Sequence, residues 1–134
     1  MNQTHKIYEV LYVSTIDPTA PISVVADIAA KARARNLEHD LTGLLIFDGM
    51  RFCQQIEGQQ KQVLALIERI SADPRHSNIT IFHHGKLDER RFKNFSLAFT
   101  NVDDIEQLAR LETLDGQPGV TAFVELLATL DLPV

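Results

Sequence analysis

Residues Leu41 to Gly58 read LTGLLIFDGMRFCQQIEG. Two apolar runs flank Asp48-Gly49, a dipeptide that favours the positive φ of a tight hairpin turn. Leu41–Asp48 is apolar on both faces, as a central strand would be. In Arg51–Gly58 a period of two puts Phe52, Gln54 and Ile56 on one face and Cys53 on the other. That sets a primary amide between two bulky apolar neighbours on the buried side. An unmet buried amide group costs roughly 1–3 kcal/mol. Gln54 therefore needs polar company on the core side of the sheet, from protein, water or ligand.

Working outward, Ile7–Ser14 reads as a first strand with Tyr8, Val10, Tyr12 and Ser14 on one face. Ile7, Leu11 and Val13 share the other, so both faces need cover. A helix is expected to begin between Thr19 and Ser23, with Pro21 in its first turn, and to run to about Arg35. Its inner stripe is Val25, Ile28, Ala29, Ala32 and Asn36. Gly58 breaks the third strand, and a second helix is predicted from Gln59 to Ala72 with Val63, Leu66, Ile67 and Ile70 inward. Asp73-Pro74 ends it. Strands are expected at Ile79–His83 and near Ser96–Thr100.

The order β-α-β-β-α-β plus one strand predicts an α+β, ferredoxin-like sheet with two helices on one face. Two tail stripes, Ile105/Leu108/Leu111 and Val120/Phe123/Val124/Leu127, flank Asp115-Gly116-Gln117-Pro118-Gly119. They predict a two-helix extension that packs on the open sheet face or forms an oligomer contact. The expected division is residues 1–100 for the sheet domain and 101–134 for the extension.

The chain has 134 residues, one domain by size. Its 13 Lys and Arg against 18 Asp and Glu give a net charge of −5, which argues against nucleic acid as a partner. No window approaches the roughly 20 apolar residues of a membrane span, and Met1–Lys6 lacks a signal-peptide pattern. With Cys53 the single cysteine, no internal disulfide forms, and a reducing, cytoplasmic compartment is the simpler expectation.

Several enzyme chemistries find little support. No His lies near Cys53 in sequence to activate it, so a structural thiol is expected. His83 and His84 are adjacent on a strand and point to opposite faces, which makes them poor joint metal ligands. Arg90-Arg91, with Lys86 and Lys93, reads as a basic cluster on a solvated loop. Acylphosphatases share this architecture, but they need an anion-cradling loop with arginine after the first strand; Thr15-Ile16-Asp17-Pro18 offers an acid and no cradle. What remains is Tyr12, Gln54 and Asn36 on the helix-facing side. They fit either a satisfied core network or a flat heteroaromatic ligand with an amide-like edge.

These residues resemble the BLUF domains, blue-light sensors using FAD. The resemblance rests on Leu11-Tyr12-Val13-Ser14, on Asn36 followed by Leu41-Thr42-Gly43-Leu44-Leu45, and on Phe52 to Gly58. Ile70 to His76 and Arg90-Arg91-Phe92 complete it. It implies a flavin ring between the two helices, with Asn36 at its pyrimidine edge and Gln54 between the flavin N5/O4 edge and Tyr12. Ile28, Leu45, Phe52 and Ile70 would give apolar contact, and Arg75 and His76 would lie near the ribityl and phosphate chain. It also implies a mechanism: light excites the flavin, Tyr12 gives up an electron and then a proton through Gln54, and recombination leaves Gln54 rotated or tautomerised. The chain departs from the family at Phe95-Ser96-Leu97, where Trp, Ser and Met are usual. A signal there is expected to travel by packing rather than by an indole hydrogen bond.

The expectation is thus a photoreceptor with no enzymatic activity, acting through a homo-oligomer or a separate downstream protein. The alternatives are a BLUF-like interaction module without photoactivity and, third, a small ferredoxin-like hydrolase.

Overall fold

A computed structural model describes residues 7–16, 19, 21, 23–72, 76–92, 97–102 and 104–130, with the backbone alone at 76–78, 99 and 101. The elements are β1 (Ile7–Ile16), α1 (Ser23–Glu38), β2 (Thr42–Phe47), β3 (Arg51–Gly58), α2 (Gln60–Ala72), β4 (His76–Leu87), β5 (Ala98–Asn101), α3 (Ile105–Glu112) and α4 (Gln117–Leu127). The sheet order is β4-β1-β3-β2-β5. Its first four strands pair antiparallel and β5 joins β2 in parallel. This is the ferredoxin-like α+β arrangement that the hairpin reading predicts.

The hairpin forms as its sequence dictates. Gly49 takes a φ of 100°, which a side chain would resist. Asp48 Oδ1 accepts from the backbone N–H of Met50 at 2.9 Å and of Arg51 at 2.7 Å. The turn thereby fixes the β2–β3 register, which sets Gln54 opposite Leu45.

The helix-facing side of the sheet holds two apolar clusters. Under α1, Val25, Ile28 and Ala29 pack with Leu45, Phe52 and Leu97. Under α2, Val63, Leu66 and Ile70 pack with Val10, Tyr12, Leu41 and Ile56. Gln54 stands at the seam between them, with Tyr12 as its β1 neighbour and Leu45 as its β2 neighbour.

The opposite side carries the third cluster. Leu11, Val13, Leu44, Ile46, Cys53, Phe82 and Phe92 are covered by Leu108 and Leu111 of α3 and by Ala122, Phe123 and Leu126 of α4. Of the expected α4 stripe, Phe123 is buried and Val120 and Leu127 pack half-buried on this cluster, while Val124 is exposed; Gly119, Ala122 and Leu126 are the inward residues the pattern did not show. Ile105, expected inward on α3, is also exposed. The physical reason on α4 is Gly119. A Cβ there would lie 2.8 Å from Phe82 Cδ2, so only a bare backbone lets the helix sit this close to β4.

Phe82 reaches that position through a bulge. Leu11 pairs with His83 and Tyr12 with Ile81, so Phe82 is the extra residue on β4. Its carbonyl accepts the Gly116 N–H at 2.9 Å. β4 runs from His76 to Leu87, beyond the expected Ile79–His83 at both ends, and β5 spans Ala98–Asn101, with Ser96 of the expected strand outside the described residues. α1 also continues three residues beyond Arg35. Among the described residues no helix is long and apolar enough to cross a membrane.

Candidate functional site

The first polar constellation lies on the helix side. Tyr12 and Gln54 are direct cross-strand partners, and the Tyr12 hydroxyl donates to Gln54 Oε1 in a short hydrogen bond. Both residues are buried. The other half of the Gln54 amide, Nε2, donates to no described residue. An –NH2 at this position suits an acceptor edge, which is what a flavin carbonyl or ring nitrogen presents. Asn36 is fully buried near the end of α1, and its carbonyl oxygen accepts the Leu41 N–H at 2.8 Å. Its side chain is engaged, with Oδ1 itself accepting no hydrogen bond.

The remaining expected contacts divide between the two clusters. Ile28, Leu45 and Phe52 lie together under α1, and Ile70 lies under α2 with Tyr12. Arg75 falls outside the described residues, and His76 is placed only as the first residue of β4. Phe95 and Ser96 also lie outside them. Leu97 is buried against Phe52 and Leu45, and its carbonyl accepts from Arg33 Nε at 3.1 Å, which ties the approach to β5 to α1.

Between the helices, Arg35, His39, Leu41, Gln62, Ala65, Leu66 and Arg69 line a cleft of about 20 Å³. A larger cavity of about 370 Å³ lies on the far side of the sheet, between α3 and α4, remote from Tyr12 and Gln54. Its rim bears Asp104, Glu106, Gln107, Arg110, Glu125 and Thr129 over Leu111, Ala122 and Leu126.

A second constellation was missed by the sequence reading. Behind Tyr12 and Gln54, on the α3/α4 side, Glu9, Gln55 and Glu57 are all buried. Arg91 forks onto Glu9, with Nε at 2.9 Å from one carboxylate oxygen and a terminal nitrogen at 3.0 Å from the other. Glu57 accepts from the backbone N–H of Arg91 at 2.7 Å, from that of Phe92 at 2.9 Å and from Thr42 Oγ1 at 2.6 Å. Arg90 donates to Thr42 Oγ1 and to the Asp40 carbonyl, each at 2.9 Å. The expectation of a solvated basic loop is therefore corrected for both arginines: Arg91 supplies counter-charge to the buried Glu9 and a donor to Glu57, and Arg90 holds Thr42 of β2 and the Asp40 carbonyl. The signal was available in Glu9, which interrupts the apolar Ile7, Leu11 and Val13 face of β1.

Electrostatics follow from this packing. Burial pushes the Glu9 carboxyl up, yet hydrogen bonds from Arg91 and Gln55, with the charges of Arg91 and His83, hold it below the ordinary carboxylate value. A carboxylate with a depressed folded-state pKa stabilises the fold above its unfolded pKa, and that contribution disappears as pH falls through the folded value. Acid unfolding followed by circular dichroism is expected to lose this contribution below about pH 4.5, and Glu9→Gln to flatten the profile in that window. Burial also raises the Cys53 thiol well above its usual pKa, leaving it without nucleophilic character. His83 faces Glu9 at 3.4 Å, whereas His84 bonds Tyr8 at 2.5 Å on the opposite face.

A family model described as sensors of blue light using FAD, named BLUF, matches residues 7–98. The chain belongs to the BLUF family. Its BLUF domain contains Tyr12, Asn36, Gln54 and the helices α1 and α2, and its cofactor is FAD. Over 102 residues, 72% of the chain, it is 33% identical to the blue light- and temperature-regulated antirepressor BluF of Escherichia coli (strain K12), of which it spans 25%. Over 90 residues it is 29% identical to photoactivated adenylate cyclase subunit alpha of Euglena gracilis, of which it spans 9%. The chain thus spans a quarter or less of these curated relatives. The cyclase likeness is confined to that small share, and the BLUF domain is a sensor rather than an enzyme.

Solved structures share the whole fold. A dark-state BLUF protein, BlrB, superposes with a TM-score of 0.77 at 29% identity, covering 95% of this chain and 99% of its own. The photo-activated state of BlsA gives 0.81 at 22% identity over 96% of this chain and 99% of its own, a likeness of fold.

Proposed function

We propose that this protein is a blue-light receptor in which Tyr12 and Gln54 read the state of an FAD ring lying between α1 and α2. The buried Tyr12–Gln54 hydrogen bond carries this reading, because it leaves the Gln54 Nε2 group for an acceptor on the cofactor. Ile28, Leu45, Phe52 and Ile70 supply apolar contact on either side of Gln54, and Asn36 meets the pyrimidine edge. Arg75 and His76 attend the ribityl and phosphate chain. Arg35 and Arg69 at the cleft rim add cations for its anionic part.

When bound, FAD supplies the absorption of blue light and the acceptor for one electron. Tyr12 would be the residue that supplies an electron, its phenolic proton moving along the hydrogen bond to Gln54 and returning with the electron, so that the composition of the site would be unchanged. Gln54 would be left rotated or tautomerised, with its amide turned more strongly to an acceptor on the cofactor. A hydrogen-bond change of this kind biases a two-state element. Leu97, packed with Leu45 and Phe52 beside Gln54, feels that change by contact and passes it into β5.

Residues 1–100 form the flavin-binding unit and 101–134 the extension through which a homo-oligomer or a separate protein receives the signal. A cytoplasmic setting suits a chain whose single cysteine is buried and reduced. The test is uptake of the cofactor. Purified protein mixed with FAD is expected to turn yellow and retain one flavin per chain through gel filtration. Protein that stays colourless after reconstitution overturns the proposal.

A further inference from the structure

β3 carries two consecutive amides that face opposite sides of the sheet. Gln54 meets Tyr12, whereas Gln55 lies on the α3/α4 side, where Glu9 and Glu57 stand directly opposite each other across β1 and β3. Like charges at directly opposed positions on neighbouring strands push the strands apart, and burial strengthens the effect. Arg91 already sets a counter-charge on Glu9 and its backbone N–H on Glu57, and between the two carboxylates Gln55 Nε2 closes the gap. It donates to Glu9 Oε1 at 3.0 Å and to Glu57 Oε1 at 2.9 Å, spending both its N–H groups on the two carboxylates.

The rest of the Gln55 amide shows that this bridge sets its orientation. Its Oε1 is buried and accepts no hydrogen bond. A polar atom left in that state is costly, and turning the amide over would cost more, since it would aim a carbonyl at two carboxylates. The backbone below is equally constrained, because β2 passes so close at Gly43 that a Cβ there would lie 2.0 Å from the Gln55 carbonyl oxygen. Gln55 therefore sits in a fixed frame one residue from Gln54, and Leu11–Gln55 is the register pair next to Tyr12–Gln54.

We infer that Gln55 is a positioning residue: by tying Glu9 to Glu57 it sets the spacing of β1 and β3 at which the Tyr12 hydroxyl meets Gln54. This rests on the proposed role of Tyr12 and Gln54, and it extends that role to the opposite face of the sheet. The strength of the switching bond is then governed by groups that never touch the flavin.

Gln55→Leu keeps the volume and removes both N–H groups. In FAD-loaded protein kept in darkness, hydrogen exchange at the Tyr12 and Gln54 amides is expected to quicken about tenfold as β1 and β3 loosen. Dark recovery after a blue pulse is expected to change about fivefold or more, since the returning proton crosses an altered Tyr12–Gln54 bond. The double variant Gln55→Leu with Glu9→Gln removes one of the opposed charges and supplies an –NH2 from β1 instead. It is expected to bring both readouts back to within about twofold of the parent. Exchange and recovery unchanged in Gln55→Leu overturn the inference, as does a double variant that restores neither. If Gln55→Leu does not fold, the double variant decides: parental recovery supports the inference, and misfolding or altered recovery overturns it. Gln54→Leu measured alongside separates the two ideas. If it keeps its spectral shift, the role given to Tyr12 and Gln54 fails. If it loses the shift while Gln55→Leu behaves as the parent, only the positioning inference fails.

Discussion

Gln54→Leu is expected to keep FAD and to lose the light-induced red shift of its absorption band completely. Leucine fills the seam between the two helix-side clusters with nearly the same volume, so the apolar walls formed by Phe52, Leu45 and Ile70 still hold the ring. What disappears is the amide that accepts from the Tyr12 hydroxyl. Tyr12→Phe is expected to give the same spectral outcome by the complementary route. It removes the electron donor's hydroxyl and leaves Gln54 Oε1 buried without its partner, at a cost of roughly 1–3 kcal/mol. That lowers stability but does not abolish folding in a sheet with three apolar clusters. Absorption spectra before and after blue light, with the flavin content of each variant measured, check both. A shift surviving in either variant removes that residue from the switch.

The second large effect concerns the frame that holds this pair. Gly43→Ala is expected to destabilise the protein by about 3 kcal/mol or more. The added Cβ would lie 2.0 Å from the backbone oxygen of Gln55 and 3.1 Å from its carbonyl carbon, so no side-chain rotation relieves it. β2 and β3 must separate, two residues from the point where Leu45 meets Gln54. Gly49→Ala is the control, since nothing lies within 4 Å of a Cβ there and only the φ of 100° is strained. Its expected loss is about 1 kcal/mol, typical of a lone residue held at positive φ. Urea denaturation of both proteins gives the comparison. Equal losses would mean that the close approach of β2 to Gln55 is not what makes Gly43 necessary.

Much of this architecture is legible in the sequence, for identifiable reasons. Asp48-Gly49 between apolar runs dictates the hairpin, the hairpin fixes the register, and alternation along β3 sets Gln54 among apolar neighbours. Tyr12 follows because β1 and β3 are adjacent in a ferredoxin-like sheet. What the sequence hides is non-local. Arg91 and Glu9 are 82 positions apart, and neither residue announces the other. The Phe82 bulge has no composition of its own, yet it places the ring against which α4 docks. Hydrophobicity on α4 points to Val124, which is exposed, whereas contact distance brings in Gly119 and Ala122. Steric fit decides that face, and it appears only once Phe82 is in place.

The two faces of β3 then have separable duties. The helix side holds the Tyr12–Gln54 pair at the seam between two apolar clusters. The α3/α4 side holds opposed carboxylates, their counter-ions and the tail. The strands are shared, so a change in Gln54 on one side has a mechanical route to the other through the backbone of Cys53, Gln54 and Gln55. Buried groups with a fixed register transmit small displacements because a packed core does not absorb them.

The measurement that bears most directly on the central claim is the light-minus-dark absorption spectrum of the FAD-loaded parent protein. A red shift of the flavin band under blue light that reverses fully in darkness is the predicted result. Bound flavin whose spectrum stays fixed under blue light, or bleaches without recovery, would contradict it.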